Sequence, residues 1–321
     1  MTDSDATDIP LEPADLAAVD AAGLRGRAVL GFEVAGDGVA IVAETSSSQM
    51  LDDWRRARAA MAVTHRWPVL VTAFQGYAQP WRDAIIAEDP FSRFFFREGM
   101  KDGDPSPQGV LSGAERIDVD ARLARVEAWR GQYWREHPDD AVEAQLDITR
   151  RLCPSAPDAA SVRAAAVDAA DPYVAADRFL YDWEDARGCA STPDEDDGYQ
   201  SWFDPTEAGA PVGLALLPTA DPWAVHAYIS SLYDATSYGQ DLLVAVAHRW
   251  YDEFGAEPVA LWGTMVQMVV ARPPADRESA WRVAREHQLL AENTLIGPGI
   301  PIRQHARYLV GREKWFLHSR P

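Results

Sequence analysis

The sequence predicts an α+β fold: a C-terminal mixed α+β domain preceded by a smaller strand–helix–strand region and a helical segment. Two observations predict it. Short apolar runs of strand length recur at 39–43, 67–74, 212–217, 258–262 and 265–271. Between them lie longer segments with apolar residues every three or four positions, and several such segments follow one another without an intervening strand, the order of an α+β chain.

Residues 14–24 fit a short helix that Gly23 and Gly26 end, and VAIVA at 39–43 reads as a strand. Ser46–Ser48 then offer capping hydroxyls, with Asp52 and Asp53 in a first turn, where the helix dipole favours anions. Met50, Leu51, Trp54, Ala57 and Met61 recur at helical spacing and define one apolar face. WPVLVTAF (67–74) is the returning strand, with Pro68 at its entry. Residues 80–87 suggest a short helix, followed by the aromatic residues Phe91, Phe94, Phe95 and Phe96. The Pro-, Gly- and Asp-rich stretch 101–113 reads as a loop.

The middle of the chain is helical. Residues 119–136 place Leu123, Val126, Trp129, Tyr133 and Trp134 on a broad apolar side, and 141–152, 159–169 and 173–186 continue the pattern. Pro138, Pro154, Pro157 and Pro172 mark the breaks. The final section opens with a strand at 212–217; Asp221–Pro222 starts a helix expected to reach Leu232, and a second runs from Gln240 to a stop at Gly255. A hairpin turning at Gly263–Thr264, a helix capped by Asp276 and reaching Glu292, and a last strand at 313–318 complete it. These features divide the chain into an acidic tail with a short helix (1–25), an α+β region with helical insert (26–181), an acidic linker (182–210) and a C-terminal domain (211–321).

Composition narrows the function classes. The net charge is −20, but residues 1–20 hold six acids and no base, and 182–209 hold nine acids against Arg187. From 210 onward eleven acids face ten bases. Without clustered Lys and Arg, a nucleic-acid backbone is not an expected partner. Carboxylates confined to tail and linker also do not make a rigid nucleic-acid mimic. The Arg- and Ala-rich bias, with Lys101 and Lys314 as the two lysines, is that of a GC-rich bacterial genome. The start lacks the basic and apolar regions of a signal peptide, and no apolar run reaches the ~20 residues of a membrane span, so a cytoplasmic protein with no membrane partner is expected. Cys153 and Cys189 have no CxxC or metal-ligand spacing and are read as reduced thiols.

Three blocks carry a resemblance: LLPTADPW (216–223), RWYDEFGAEPVAL (249–261), and VVARPP (269–274) followed by ESAWRVAREH (278–287). In identity and order they resemble the bacterial family known as domain of unknown function 4253, over roughly the final third. The resemblance implies a fold and no reaction. It also implies a Glu followed by Cys-Pro-Asp on the third helix of that domain. Glu286 matches the Glu, whereas Ala291, Glu292 and Asn293 stand where Cys-Pro-Asp is expected, which weakens any site built on that Asp.

No GxSxG elbow, P-loop, Rossmann glycine pattern, HxxxH or HExxH is present, and no metal or other cofactor is expected. Glu286 and His287 are adjacent on one helix and point about 100° apart, so they do not face each other, while Arg282 lies one turn before Glu286. His226 and His248, with Asp221 and Asp252 near them, form a weaker grouping. Trp202 and Phe203 stand in the acidic linker, as an aromatic anchor for a protein partner or for the chain's own groove. The expectation is a non-catalytic protein-binding or accessory module, immunity-like or adaptor-like, binding through Trp202 and Phe203. The alternative is a small hydrolase or nucleotide-handling enzyme using Glu286, Arg272 and His248.

Overall fold

The structure is a computed structural model that describes residues 9–34, 37–73, 80–88, 90–91, 106–193, 199–232, 235 and 238–320. Phe94, Phe95, Phe96 and Lys101 lie outside the described residues. The fold is α+β, as the sequence predicts, with one mixed seven-stranded sheet among the described residues. The chain divides into two compact units. One, the sheet unit, combines 1–117, 202–272 and 314–321; the other, the helical unit, combines 118–201 and 273–313.

The sheet holds β1 (Val29–Val34), β2 (Gly38–Thr45), β3 (Trp67–Thr72), β4 (Val212–Leu217), β5 (Ala256–Trp262), β6 (Met265–Val270) and β7 (Lys314–His318). Their spatial order is β1-β2-β4-β3-β5-β6-β7. Every pair is antiparallel except β3 with β5, where Leu70 faces Ala260. β3 and β4 are buried at every position. That explains why both read as continuous apolar runs rather than alternating ones.

The sheet unit also holds α1 (Pro13–Ala21), α2 (Met50–Ala59), the short α3 (Met61–Thr64), α4 (Trp81–Glu88) and α5 (Pro107–Ala114). Met50, Trp54 and Ala57 of α2 join Ile41, Leu70, Leu214 and Trp262 in one core, and Trp54 Nε1 donates to the Pro68 carbonyl at 3.0 Å. Asp53 is buried on the same helix because Thr45 and Arg27 donate to it and Arg56 forms an ion pair with it.

Two local readings need correction. Residues 107–114 form α5 rather than a loop: the Ser106 side chain accepts from Gly109 N, and Pro107 occupies the first turn, where its missing N–H is harmless. Strand β1 is an addition. Gly31 at its centre weakens the strand pattern, yet a Cβ there would meet the Ile9 carbonyl at 2.7 Å, so the backbone approach requires glycine.

The helical unit begins with α6 (Val119–Arg130), α7 (Gln132–Glu136), α8 (Pro138–Leu152), α9 (Ala159–Ala166) and α10 (Pro172–Arg187). In the sheet unit α11 (Val225–Tyr228) and α12 (Gln240–Phe254) follow. Asp221 makes no capping bond, and a 3-10 turn plus α11 replace the longer helix expected to Leu232. The helical unit resumes with α13 (Arg277–Leu290), α14 (Asn293–Ile296) and α15 (Ile302–Leu309).

The expected boundaries therefore do not describe the compact units. The strand–helix–strand region shares a sheet with β4–β7, and the helical middle belongs with α13–α15. The supposed linker at 182–210 opens inside α10, where Glu184 is fully buried. Cys153 and Cys189 form a disulfide with Cα atoms 5.4 Å apart, correcting the expectation of two free thiols. Cys153 follows the last residue of α8, and Cys189 follows Gly188, the left-handed residue ending α10.

Candidate cavity and buried polar network of the helical unit

Three helices of this unit, α6, α10 and α13, line an open cavity of about 470 Å³. Apolar side chains such as Leu123, Val174, Trp281 and Leu289 line much of it. Glu286, expected on a helix surface, lines this cavity and is only 3% exposed. Arg282 lies 3.5 Å from its Oε1, the one-turn pairing the sequence implied. Arg285 is buried beside Glu127, its Nη2 2.9 Å from Oε1. Arg178, also on the lining, faces Glu278 at 2.5 Å and stands over the Trp281 ring at 5.2 Å.

Asp171 is the N-cap of α10: its Oδ1 accepts from the Tyr173 and Val174 amides at 3.0 and 3.3 Å. Burial raises its pKa against the lowering pull of those amides and of Arg285. Asp171–Pro172 is a recognisable helix start, so the capping role was readable; the cavity beside it was not.

Behind the cavity, Arg303 of α15 is completely buried and uses all of its donors. Nε meets Glu184 at 2.9 Å, Nη1 meets Asp177 at 2.5 Å and Gln145, and Nη2 meets the Gln145 carbonyl and Thr149 Oγ1. Arg307 closes the network on the other Glu184 oxygen at 2.8 Å. Burial by itself would lower the Arg303 pKa, but the two carboxylates together raise it, and the guanidinium stays charged. With every guanidinium donor of Arg303 satisfied, the array holds α8, α10 and α15 in register.

Beside it runs a chain of hydrogen bonds: Tyr199 to His305 Nδ1 at 2.8 Å, and His305 Nε2 to His287 Nδ1 at 3.0 Å. Burial pushes His305 down to about 3, and burial plus repulsion from His305 holds His287 well below its ordinary value. Both are neutral at pH 7. The sign of the pH effect follows: below pH ~6.5 the unfolded chain binds protons that the folded chain refuses. Stability is therefore lost as pH falls from about 6.5 toward 3, at up to about 1.4 kcal/mol per pH unit for each such histidine. Asp171 and Asp177, raised by burial, act in the opposite sense. The histidine contribution is isolated by comparing urea denaturation at pH 7.5 and pH 5 for the wild-type chain and a His287→Gln/His305→Gln chain. The double variant should show the shallower loss; equal slopes would remove the assignment.

The other candidate residues do not line the cavity. His248 is exposed on α12, stacked on Trp223 with centroids 4.0 Å apart and 3.5 Å from Asp252. Arg272 is exposed and donates to the carbonyls of Tyr251, Asp252 and Glu253, capping the C-terminal end of α12. His226 is fully buried, bonded through Nδ1 to Ser231. Among the described residues no group of His, Cys, Asp or Glu is placed to hold a metal ion. None of the described helices is long and apolar enough to cross a membrane.

Trp202 and Phe203 pack against the core of the sheet unit; Lys314 Nζ lies 5.2 Å over the Trp202 ring, and Gln267 donates to the Phe203 carbonyl at 3.0 Å. They anchor the chain to its own sheet, the self-docking alternative of the sequence reading.

The blocks around β4, α12, β5, β6 and α13 now have their places, in the order in which the resemblance was read. Residues 213–318 match the domain of unknown function DUF4253. No curated protein and no solved structure gives a match. The DUF4253 segment is not one compact unit here: 213–272 and 314–318 build the sheet, whereas 273–313 joins the helical unit. Glu286, which the resemblance was expected to match, is one of the carboxylates lining the cavity and lies on α13. Ala291 is buried, and Glu292 forms an ion pair with Arg130 at 2.5 Å.

Proposed function

We propose that this chain is a non-catalytic protein-binding or accessory module. The observation that carries the reading is a pair of exposed aromatic side chains on consecutive helices of the helical unit, Trp129 at 66% and Tyr133 at 55% exposure. The helical pattern assigned both to an apolar side facing a core. Instead they face solvent, and Tyr133 is held by stacking on His137 and an edge contact with Trp134. Rigid, exposed Trp and Tyr side chains are the residues that most often dominate protein–protein affinity. The ion pairs that Arg282 and Arg285 make with Glu286 and Glu127 also support binding over turnover. No nucleic-acid partner is proposed, and the cytoplasmic placement belongs to the same proposal.

The test begins with isolation of a stoichiometric complex from native cells, followed by reassembly from purified components. Changing Trp129 and Tyr133 together to Ala should weaken the reassembled complex by about a hundredfold or more, two hot-spot losses of about 2 kcal/mol each being ample. Changing Trp202 and Phe203 to Ala should lower thermal stability without that specific loss. If the Trp129/Tyr133 variant binds as tightly as the wild type, the reading fails.

A further inference from the structure

We infer that Cys153 and Cys189 form a reversible dithiol–disulfide switch, worked through Cys189, that sets the rigidity of α8, α9 and α10. They are the chain's only two cysteines, so a bond within the chain has no competing partner. The bond lies at the helix ends and not in the core. Cys189 is half-buried between exposed Gly188 and Ala190, whereas Cys153 is only 6% exposed. A reagent therefore meets Cys189 Sγ first, and Cys153 is the sulfur displaced.

The fold keeps the two sulfurs together when the bond is open. The Cys153 amide donates to the Thr149 carbonyl at 2.8 Å and the Cys189 amide to the Glu184 carbonyl at 3.2 Å, so each cysteine is fastened to its own helix. Thr149 Oγ1 donates to Glu184 Oε1 at 2.6 Å, and Arg303 bonds both residues. Val142, Leu146, Val162, Ala176 and Leu180 form a core of the three helices in which neither cysteine takes part. None of these contacts needs the crosslink. Opening the bond leaves two thiols at short range, a high effective concentration that favours closing it again. What opening changes is the freedom of the enclosed residues 154–188, which hold α9 and α10.

Opening proceeds by exchange with an external dithiol. Its thiolate attacks Cys189 Sγ, a new S–S bond forms there as the Cys153–Cys189 bond breaks, and Cys153 takes the electron pair and then a proton. The reagent's second thiolate displaces Cys189 in the same way and leaves as a disulfide. The dithiol loses two electrons and two protons, and the protein gains both. Closing runs in reverse with a small-molecule disulfide as oxidant, released as two thiols. In the proposed cytoplasm the pair rests open, since cytosolic thiols are kept reduced, and closes when small disulfides accumulate. Only that resting state depends on the placement; thiol counts on purified protein do not.

The probes are dithiothreitol and oxidised glutathione on the folded full chain, with thiols counted by alkylation and mass measurement. Dithiothreitol should open the bond without denaturant, and the open chain should keep its helical circular dichroism. After the reagent is removed, oxidised glutathione should close the bond in the folded protein. Amide hydrogens in the last turns of α8 and α10 should exchange at least about tenfold faster in the open state, while those of β3 and β4 keep their rates. Cys153→Ser, which leaves Cys189 alone, should form a mixed disulfide with glutathione at least about tenfold faster than Cys189→Ser. A bond that opens only in denaturant, or an open chain that loses its helices or does not close again, would overturn the inference. Unchanged amide exchange, or equal reaction of the two single variants, would overturn it as well.

Discussion

Replacing Arg303 by methionine should lower the stability of the helical unit by about 3–5 kcal/mol, the usual effect of removing one partner from a buried ion pair. The size follows from what remains. Asp177 and Glu184 are both fully buried and would face each other's charge with their guanidinium gone. Asp177 would keep the Ile302 amide, and Glu184 would keep Arg307 and Thr149. Neither set replaces a cation held between the two carboxylates. Arg303→Lys should recover only part of the loss, since an ammonium has three donors on one nitrogen and no planar fork to span Asp177, Glu184, Gln145 and Thr149 together. Equilibrium denaturation in urea, read by a probe in the helical unit, measures both. A loss below about 1 kcal/mol for the methionine variant would mean that the network does not hold the helices.

The second large effect belongs to the disulfide. Cys153 and Cys189 are 36 residues apart in sequence, and in the chain-entropy account closing a loop of that length contributes about 4 kcal/mol. The bond joins the C-terminal ends of α8 and α10. These are the helices that supply Gln145 and Thr149 on one side, and Asp177 and Glu184 on the other, to Arg303. Changing both cysteines to Ala should destabilise the helical unit by about 2–4 kcal/mol. Adding a reductant to the wild-type chain should do the same, and adding it to the double variant should change nothing. Because bond and network share helices, combining the cysteine changes with Arg303→Met should give a sum that departs from additivity. Insensitivity of the wild type to reductant, in protein whose thiols have been blocked and counted, would rule the crosslink out.

The same measurement bears on location. Disulfides persist in oxidising compartments and are rare in the cytosol. Trapping the thiols with an alkylating reagent in intact native cells therefore tests the cytoplasmic placement. Two reduced cysteines would agree with it, with the helical unit working at the lower of its two stabilities. A fully oxidised pair would argue against it.

Much of the local structure was determined by the sequence alone, and for short-range reasons. Gly255 ends α12 in the left-handed conformation, with φ 61°, where the apolar period stops. Asp276 caps α13 by accepting from the Glu278 and Ser279 amides. The hairpin of β5 and β6 turns where Gly263 and Thr264 stand. Periodicity, caps and turn residues act over a few positions, so one sequence shows them.

Tertiary structure alone decided which distant segments meet. β4 pairs with β2 and β3 across more than 130 positions, and Arg303 reaches Gln145 across 158, distances over which a local pattern carries no information. Helical spacing put Trp129 on an apolar side, but burial depends on what packs there, and the residue is 66% exposed. The acids of 182–185 counted toward a solvated linker, yet Glu184 lies at the centre of the helical unit because Arg303 and Arg307 neutralise it there. Charge along a sequence is a sum over neighbours in the chain; whether a charge can be buried depends on neighbours in space, which only the packed helices supply.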